Sequence, residues 1–244
     1  MSRILIWDLP TRLFHWAFTV LLGCSIVLAL VADEHGPLFQ WHMLCGLAAA
    51  FLVGLRLISG IAGSRYARFG SFPVRPGEVV RYFGGILSGR AERYAGHNPG
   101  SALAAIGMFF LVGLLVLTGL GVGGEDLQEL HGPVAYTLMA VIGLHLAGLV
   151  VHTVRHRENI AASMLTGRKE GLPEQALASS HPAWGMAFLL AGLAWIAGLF
   201  TAHDARAATT RLPILGTVIT LGERESQGNH ESGRKRDRRG HDDD

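Results

Sequence analysis

Four histidines lie at or within long apolar stretches of the chain: His15, His42, His131 and His145. An ionisable side chain inside a membrane-spanning helix is costly, so each of them marks a candidate functional site. His131 and His145 are 14 residues apart on one predicted helix. At about 1.5 Å of rise per residue they lie ~21 Å apart along the axis, and both point the same way to within roughly 40°. Two imidazoles on one face, near opposite sides of a bilayer, are suited to binding two stacked haems.

The composition is typical of a polytopic membrane protein. Half of the 244 residues are apolar and 16% are charged, whereas soluble domains are about 25% charged. The apolar residues cluster in five stretches of roughly the length that crosses a bilayer: 13–32, 40–62, 103–122, 131–153 and 184–202. Backbone groups in such spans must be satisfied internally, so the spans are helical. We therefore predict an all-α integral membrane protein, with a four-helix transmembrane haem-binding bundle plus a fifth transmembrane helix.

The remaining segments divide the chain. We assign residues 1–170 to the dihaem membrane domain, 171–183 to a linker and 184–202 to the fifth helix. Residues 203–244 are mostly polar and bury too little apolar surface to offset the entropy of ordering, so they predict a disordered tail. The stretch 77–89 predicts an amphipathic surface helix, and the basic segment 155–169 is expected to be partly helical.

The placement of charge predicts the topology. Segment 63–102 holds six arginines and segment 154–182 holds three more and a lysine. The connections 33–39 and 123–130 hold no Lys or Arg and five acidic residues. The positive-inside rule therefore places the N-terminus and both basic segments of this multi-pass protein in the cytoplasm. The first span lacks a small-residue cleavage site, so we expect it to be retained.

Depth in the membrane predicts how the histidines pair. His42 and His131 both lie near the outer side, and His15 and His145 near the inner side, so each pair can supply the two axial ligands of one haem b. His152 lies seven residues after His145 on the same face and is an alternative partner for His15. A single interfacial histidine can also be a polar anchor, so the argument depends on the four together.

Other polar residues in or near the spans allow more than one role. Arg56, near the inner end of the second span, either snorkels to the interface or pairs with a propionate of the inner haem. His97 is expected to be solvated or to contact propionates. Cys24 and Cys45 fall inside spans and are expected to be buried without a disulfide or metal. Covalent c-type haem is excluded because the chain has no C-x-x-C-H motif.

Several motifs resemble those of prokaryotic cytochrome b561 proteins and the related cytochrome b subunits of nickel–iron hydrogenases. They cover about residues 3–170 and are Trp7-Asp8-Leu9-Pro10-Thr11-Arg12-Leu13-Phe14-His15-Trp16, Gly54-Leu55-Arg56, Gly60-Ile61-Ala62-Gly63-Ser64-Arg65-Tyr66-Ala67-Arg68-Phe69, Gly96-His97-Asn98-Pro99-Gly100, Leu130-His131-Gly132, Gly143-Leu144-His145, His156-Arg157-Glu158-Asn159 and Thr166-Gly167-Arg168-Lys169. The resemblance implies four helices that hold two non-covalent b haems between quinone and an electron partner. The residues that match the family's haem ligands are His15, His42, His131 and His145. The fifth helix and the tail depart from the family's smallest members.

We therefore expect an electron carrier that links the quinone pool to a c-type cytochrome or another respiratory protein, with a quinone oxidoreductase role as an open question. A cytochrome b subunit of a membrane-bound Ni,Fe-hydrogenase is the alternative within the same class. Lipid surrounds the protein, and no nucleic-acid partner is expected. A histidine-lined metal transporter is the alternative from another class, but it should show carboxylates at mid-membrane, and no Asp or Glu falls inside a predicted span.

The charge asymmetry makes a topological prediction. Alkaline phosphatase should be active when fused after residue 36 or residue 240, and inactive when fused after residue 95, because the arginine-rich segments stay in the cytoplasm. A fluorescent protein that folds only in the cytoplasm should show the reverse pattern. Phosphatase activity at residue 95 would contradict the orientation, and a cytoplasmic residue 240 would contradict the fifth crossing.

Overall fold

Apolar helices account for most of the computed structural model. It describes residues 2–33, 36–90, 92–122 and 124–222, and for His156 it describes the backbone alone. The helices are α1 (Leu9–Val31), α2 (Pro37–Ala62), α3 (Pro76–Ser88), α4 (Pro99–Gly119), α5 (Glu125–Gln128), α6 (His131–His156), α7 (Ile160–Thr166) and α8 (Pro182–Thr201). The strands are β1 (Ser2–Leu5), β2 (Arg168–Gly171), β3 (Thr209–Arg211) and β4 (Val218–Thr220). Five helices in these ranges are long and apolar enough to cross a membrane, which confirms the predicted all-α membrane fold with five spans.

Capping residues start two of these helices, α1 and α4, earlier than hydropathy alone indicated. The Asp8 carboxylate accepts a hydrogen bond from the Thr11 amide at 3.0 Å, so α1 begins at Leu9 rather than near residue 13. Asn98 caps α4 in the same way, through the Ser101 amide at 2.8 Å. A proline near the start of α1, α2 and α4 supports these early starts. The N–H groups of the first helical residues have no acceptor within the helix, so a proline, which has no N–H, loses no hydrogen bond there.

The transmembrane helices form two hairpins. Helix α1 packs along α2, α4 packs along α6, the hairpins meet where α2 contacts α4, and α8 packs on α1 and α2. Aromatic and aliphatic side chains fill the centre, with members from all five helices: Phe14, Phe18, Leu52, Val112, Leu138 and Phe188. The fifth helix is therefore packed into the bundle, not separate from it.

Residues from both ends of the membrane domain close one end of the bundle. This basic end carries the described residues 63–90, 92–98 and 154–181. Strand β1 pairs antiparallel with β2, from Ser2 opposite Gly171 to Leu5 opposite Arg168. Trp7 is buried there and its indole N–H donates to the Ser163 hydroxyl at 3.0 Å. The sequence correctly predicted helix α3 and a partly helical segment before residue 169, but not this strand pair.

The opposite end is here called the acidic end. It carries the described residues 33, 36, 120–122, 124–130 and 203–222, and it corrects one prediction. The tail was expected to be disordered from residue 203, but β3 and β4 form an antiparallel hairpin. Leu221 is buried in a cluster with Leu44 and Leu199, because the apolar residues of this short segment cover the exposed ends of α2 and α8. Residues 223–244, the remainder of the predicted disordered tail, lie outside the described residues.

Gly60 on α2 gives a stability prediction. A Cβ at this position would lie 2.1 Å from the Phe69 ring, and overpacking of this kind costs about 1–3 kcal/mol. Gly60→Ala should therefore lower the thermal unfolding temperature in detergent. Gly54→Ala on the same helix is the matched control, because its Cβ would meet nothing within 4 Å. Equal unfolding temperatures for the two variants would show that Phe69 does not pack as described.

Candidate functional site

The structure brings His42 and His131 together at the acidic end. His42 lies on the second turn of α2, and His131 is the first residue of α6. Their ring centroids are 6.2 Å apart and the ring planes lie at 83°. Two imidazoles that bind one metal ion from opposite sides, each at about 2 Å, hold their centroids roughly 6 Å apart. The spacing therefore fits a single iron between the two rings.

Hydroxyl groups hold one nitrogen of each of these rings. His42 Nδ1 lies 3.0 Å from Ser25 Oγ and 2.8 Å from the Ser25 carbonyl oxygen. His131 Nδ1 lies 3.0 Å from Thr118 Oγ1. Both hydroxyl residues are buried. Neither Nε2 atom has a hydrogen-bond partner among the described residues, so both are available as ligands.

His15 and His145 lie at the basic end, on α1 and α6. They are close enough to interact electrostatically. The His15 and His145 rings, both in the described part of the chain, make no direct contact with each other. Among the described residues, His15 Nδ1 is buried without a hydrogen-bond partner. If Nε2 bound iron, the nitrogen that carries the proton would therefore lack an acceptor.

The N-terminal segment ties α1 to the end of α6, and so fixes His15 relative to His145. The Ile6 and Trp7 amides donate to the Gly167 carbonyl at 2.9 and 3.1 Å. The Trp16 indole N–H donates to the Met164 carbonyl at 3.2 Å. These bonds join the N-terminal segment and α1 to α7, which follows α6 after three residues.

Arg56 is 3% exposed and does not snorkel to the interface. Its guanidinium lies 5.1 Å from the Phe69 ring centroid and donates through Nη2 to the Ala67 carbonyl at 2.9 Å. Nη1 is buried and has no hydrogen-bond partner among the described residues. A carboxylate such as a haem propionate would satisfy it, which fits the propionate role predicted from the sequence over the snorkelling role.

His97 is more enclosed than the sequence indicated. Its ring centroid lies 4.8 Å from that of Trp7 and 4.4 Å from that of Phe72. Burial, followed by the nearby positive charge of Arg56, lowers the pKa of His97 to about 3. The imidazole is therefore neutral throughout the physiological range, and a solvated role is excluded by this packing.

His152, the alternative to His145, has another partner. Its Nε2 lies 3.7 Å from a carboxylate oxygen of Glu158, and both side chains are mostly buried. That contact favours His145 as the partner of His15. The side chain of His156 lies outside the described part of the chain.

The donor set fits haem better than a bare metal ion. A porphyrin supplies four nitrogens itself and needs only two axial ligands from protein. Within residues 2–33, 36–90, 92–122 and 124–222, no three His, Cys, Asp or Glu side chains form a metal-binding group. The residues that sequence reasoning missed are Ser25 and Thr118. A hydroxyl inside an apolar span was the available signal, because it must find a partner there.

Comparison with known proteins identifies the region that carries these residues. A family model described as prokaryotic cytochrome b561 matches residues 6–167, which is more than half of the chain and includes all four histidines and Arg56. No curated relative and no solved structure matches the chain significantly. Helix α8 and the β3–β4 hairpin lie beyond the matched region.

The environment of His97 predicts how stability depends on pH. Between its folded pKa of about 3 and an unfolded value of about 6.5, the unfolded chain binds a proton that the folded chain does not. This single group therefore lowers stability as pH falls below 6.5, by up to about 1.4 kcal/mol per pH unit. His97→Gln should flatten the fall in thermal unfolding temperature between pH 6.5 and 4.5. The exposed His181 supplies the control, His181→Gln, and an unchanged slope in the His97 variant would contradict the assignment.

Proposed function

Because the chain belongs to the prokaryotic cytochrome b561 family, we propose that it is a dihaem cytochrome that carries electrons across the bacterial inner membrane. The family makes it a multi-pass membrane cytochrome b. The proposal adds two b haems, one between His42 and His131 at the acidic end and one between His15 and His145 at the basic end.

The observation that carries the proposal is the arrangement of imidazoles in two pairs, with one member of each pair on α6. The 6.2 Å spacing of His42 and His131 supports a single iron between them. The second pair lies ~21 Å further along α6, near the opposite end of the bundle. Two such sites divide the membrane into two shorter electron-transfer steps.

The polypeptide's own contribution is binding, orientation and exclusion of water. Haem supplies the one-electron chemistry when bound. Aromatic side chains, among them Phe14 and Phe109, pack between the helices at ring-centroid distances of 5.6 Å and keep the interior apolar. Arg56, with its unpartnered Nη1, offers a buried cation for a propionate at the basic end.

The orientation and the partners complete the proposal. The arginine-rich basic end lies in the cytoplasm and the acidic end in the periplasm, in accord with the positive-inside rule. One end exchanges electrons with the quinone pool and the other with a protein partner, either a c-type cytochrome or a hydrogenase. The spans formed by α1, α2, α4, α6 and α8 are surrounded by lipid.

Haem stoichiometry tests the proposal. The purified protein should contain two non-covalent haems per chain by extraction and reduced-pyridine spectroscopy. His42→Ala or His131→Ala should remove the acidic-end haem, and His15→Ala or His145→Ala the basic-end haem, because a haem that loses one axial ligand is bound much more weakly.

His152→Ala is the matched control on α6 and should retain both haems, since the His152 ring contacts the Glu158 carboxylate. Loss of one haem in this variant, with retention in His145→Ala, would reassign the basic-end ligand. A wild-type protein with one haem or none, folded and intact, would overturn the dihaem proposal itself.

A further inference from the structure

The two histidine pairs differ in what their Nδ1 atoms contact. At the acidic end both rings are held by buried hydroxyl residues, Ser25 on α1 and Thr118 on α4. At the basic end His15 Nδ1 has no hydrogen-bond partner in the part of the chain that the structure describes. The same helix bundle therefore gives its two candidate sites unequal surroundings.

The contacts around His42 specify which nitrogen carries the proton. The ring Nδ1 faces the Ser25 carbonyl at 2.8 Å, and a carbonyl can only accept a hydrogen bond. The Ser25 hydroxyl lies 3.0 Å from the same nitrogen and donates to the His42 carbonyl at 3.2 Å. Nδ1 is therefore the protonated nitrogen, and Nε2 is left with a free lone pair.

Thr118 does the same for His131. Its hydroxyl has one hydrogen, which is directed to carbonyl oxygens of its own helix, those of Leu114 at 3.0 Å and Leu115 at 3.2 Å. The oxygen can then accept from His131 Nδ1 at 3.0 Å. Thr118 is fully buried, so water does not compete for this bond. The result is again a ring with Nε2 free to bind iron.

We propose that Ser25 and Thr118 are positioning residues that give the acidic-end haem the lower reduction potential of the two; this inference rests on the dihaem function proposed above. An acceptor on Nδ1 makes a ligating imidazole a stronger donor to its metal. A stronger donor stabilises ferric over ferrous iron, which lowers the potential.

The surroundings of the basic end act in the opposite direction. His15 lacks an acceptor on Nδ1, and the buried cation of Arg56 lies close to His97, which itself lies near His15 and His145. Positive charge in a low-dielectric interior favours the reduced, less positive iron. If both sites held haem, these surroundings would make electron transfer from the acidic-end site to the basic-end site thermodynamically favourable.

Redox titration of single-haem protein tests the proposal. His15→Ala supplies a parent that retains only the acidic-end haem, so its midpoint potential is measured without overlap. Thr118→Val in this parent should raise that potential, because it removes the hydroxyl acceptor of His131 Nδ1 while it keeps the side-chain shape. A tenfold loss of ferric preference would appear as a rise of 59 mV. Thr118→Ser restores the hydroxyl and should restore the potential of the parent.

Thr137→Val on α6 is the matched control. The Thr137 hydroxyl is exposed and donates only to the Pro133 carbonyl, so this variant should leave the potential unchanged. If Thr118→Val does not retain haem, Ser25→Ala carries the test, with a smaller rise expected because the Ser25 carbonyl still accepts from His42. An unchanged potential in the variant that retains haem would overturn the proposal. A parent that binds no haem would overturn the dihaem function instead.

Discussion

Each imidazole inside this bundle has two nitrogens to satisfy in surroundings that offer few polar groups, and burial of an unpaired polar atom is costly. At the acidic end, hydroxyl groups satisfy one nitrogen of each ring: Nδ1 of His42 contacts Ser25, and Nδ1 of His131 contacts Thr118. The other nitrogen of each ring has no partner from the described chain. A metal between the rings satisfies both at once, which is why their 6.2 Å separation is the central geometric fact about this protein.

The rest of the fold holds those nitrogens in place. Both proposed ligand pairs join α6 to the first hairpin, one through α1 and the other through α2. At the basic end, the main chain of Ile6 and Trp7 bonds to Gly167, and Asp8 caps the helix that carries His15. Arg56 lies at the same end of the bundle, where its guanidinium donates to the Ala67 carbonyl. The N-terminal segment therefore holds α1 against the segment that follows α6.

Much of the site could be predicted from the sequence because membrane spans impose strong rules. The five spans follow from hydropathy, and the pairing of His42 with His131 follows from depth alone. The β1–β2 pair could not be predicted, since it joins segments far apart in the sequence and neither strand has a strong pattern of its own. The hairpin after residue 203 was missed because the short apolar segment 212–221 becomes buried only where the ends of α2 and α8 are available for it to cover. The roles of Ser25 and Thr118 could be assigned only from the structure, since a hydroxyl in a membrane span can hydrogen-bond to its own helix or to a neighbouring side chain.

Low-temperature electron paramagnetic resonance of the oxidised, detergent-purified protein tests the central claim most directly. Two iron sites that each have two axial imidazoles should both be low-spin ferric, with two distinguishable signals that together account for two spins per chain. A high-spin signal as a major component, or a single low-spin signal that accounts for one spin per chain, would contradict the paired-histidine account.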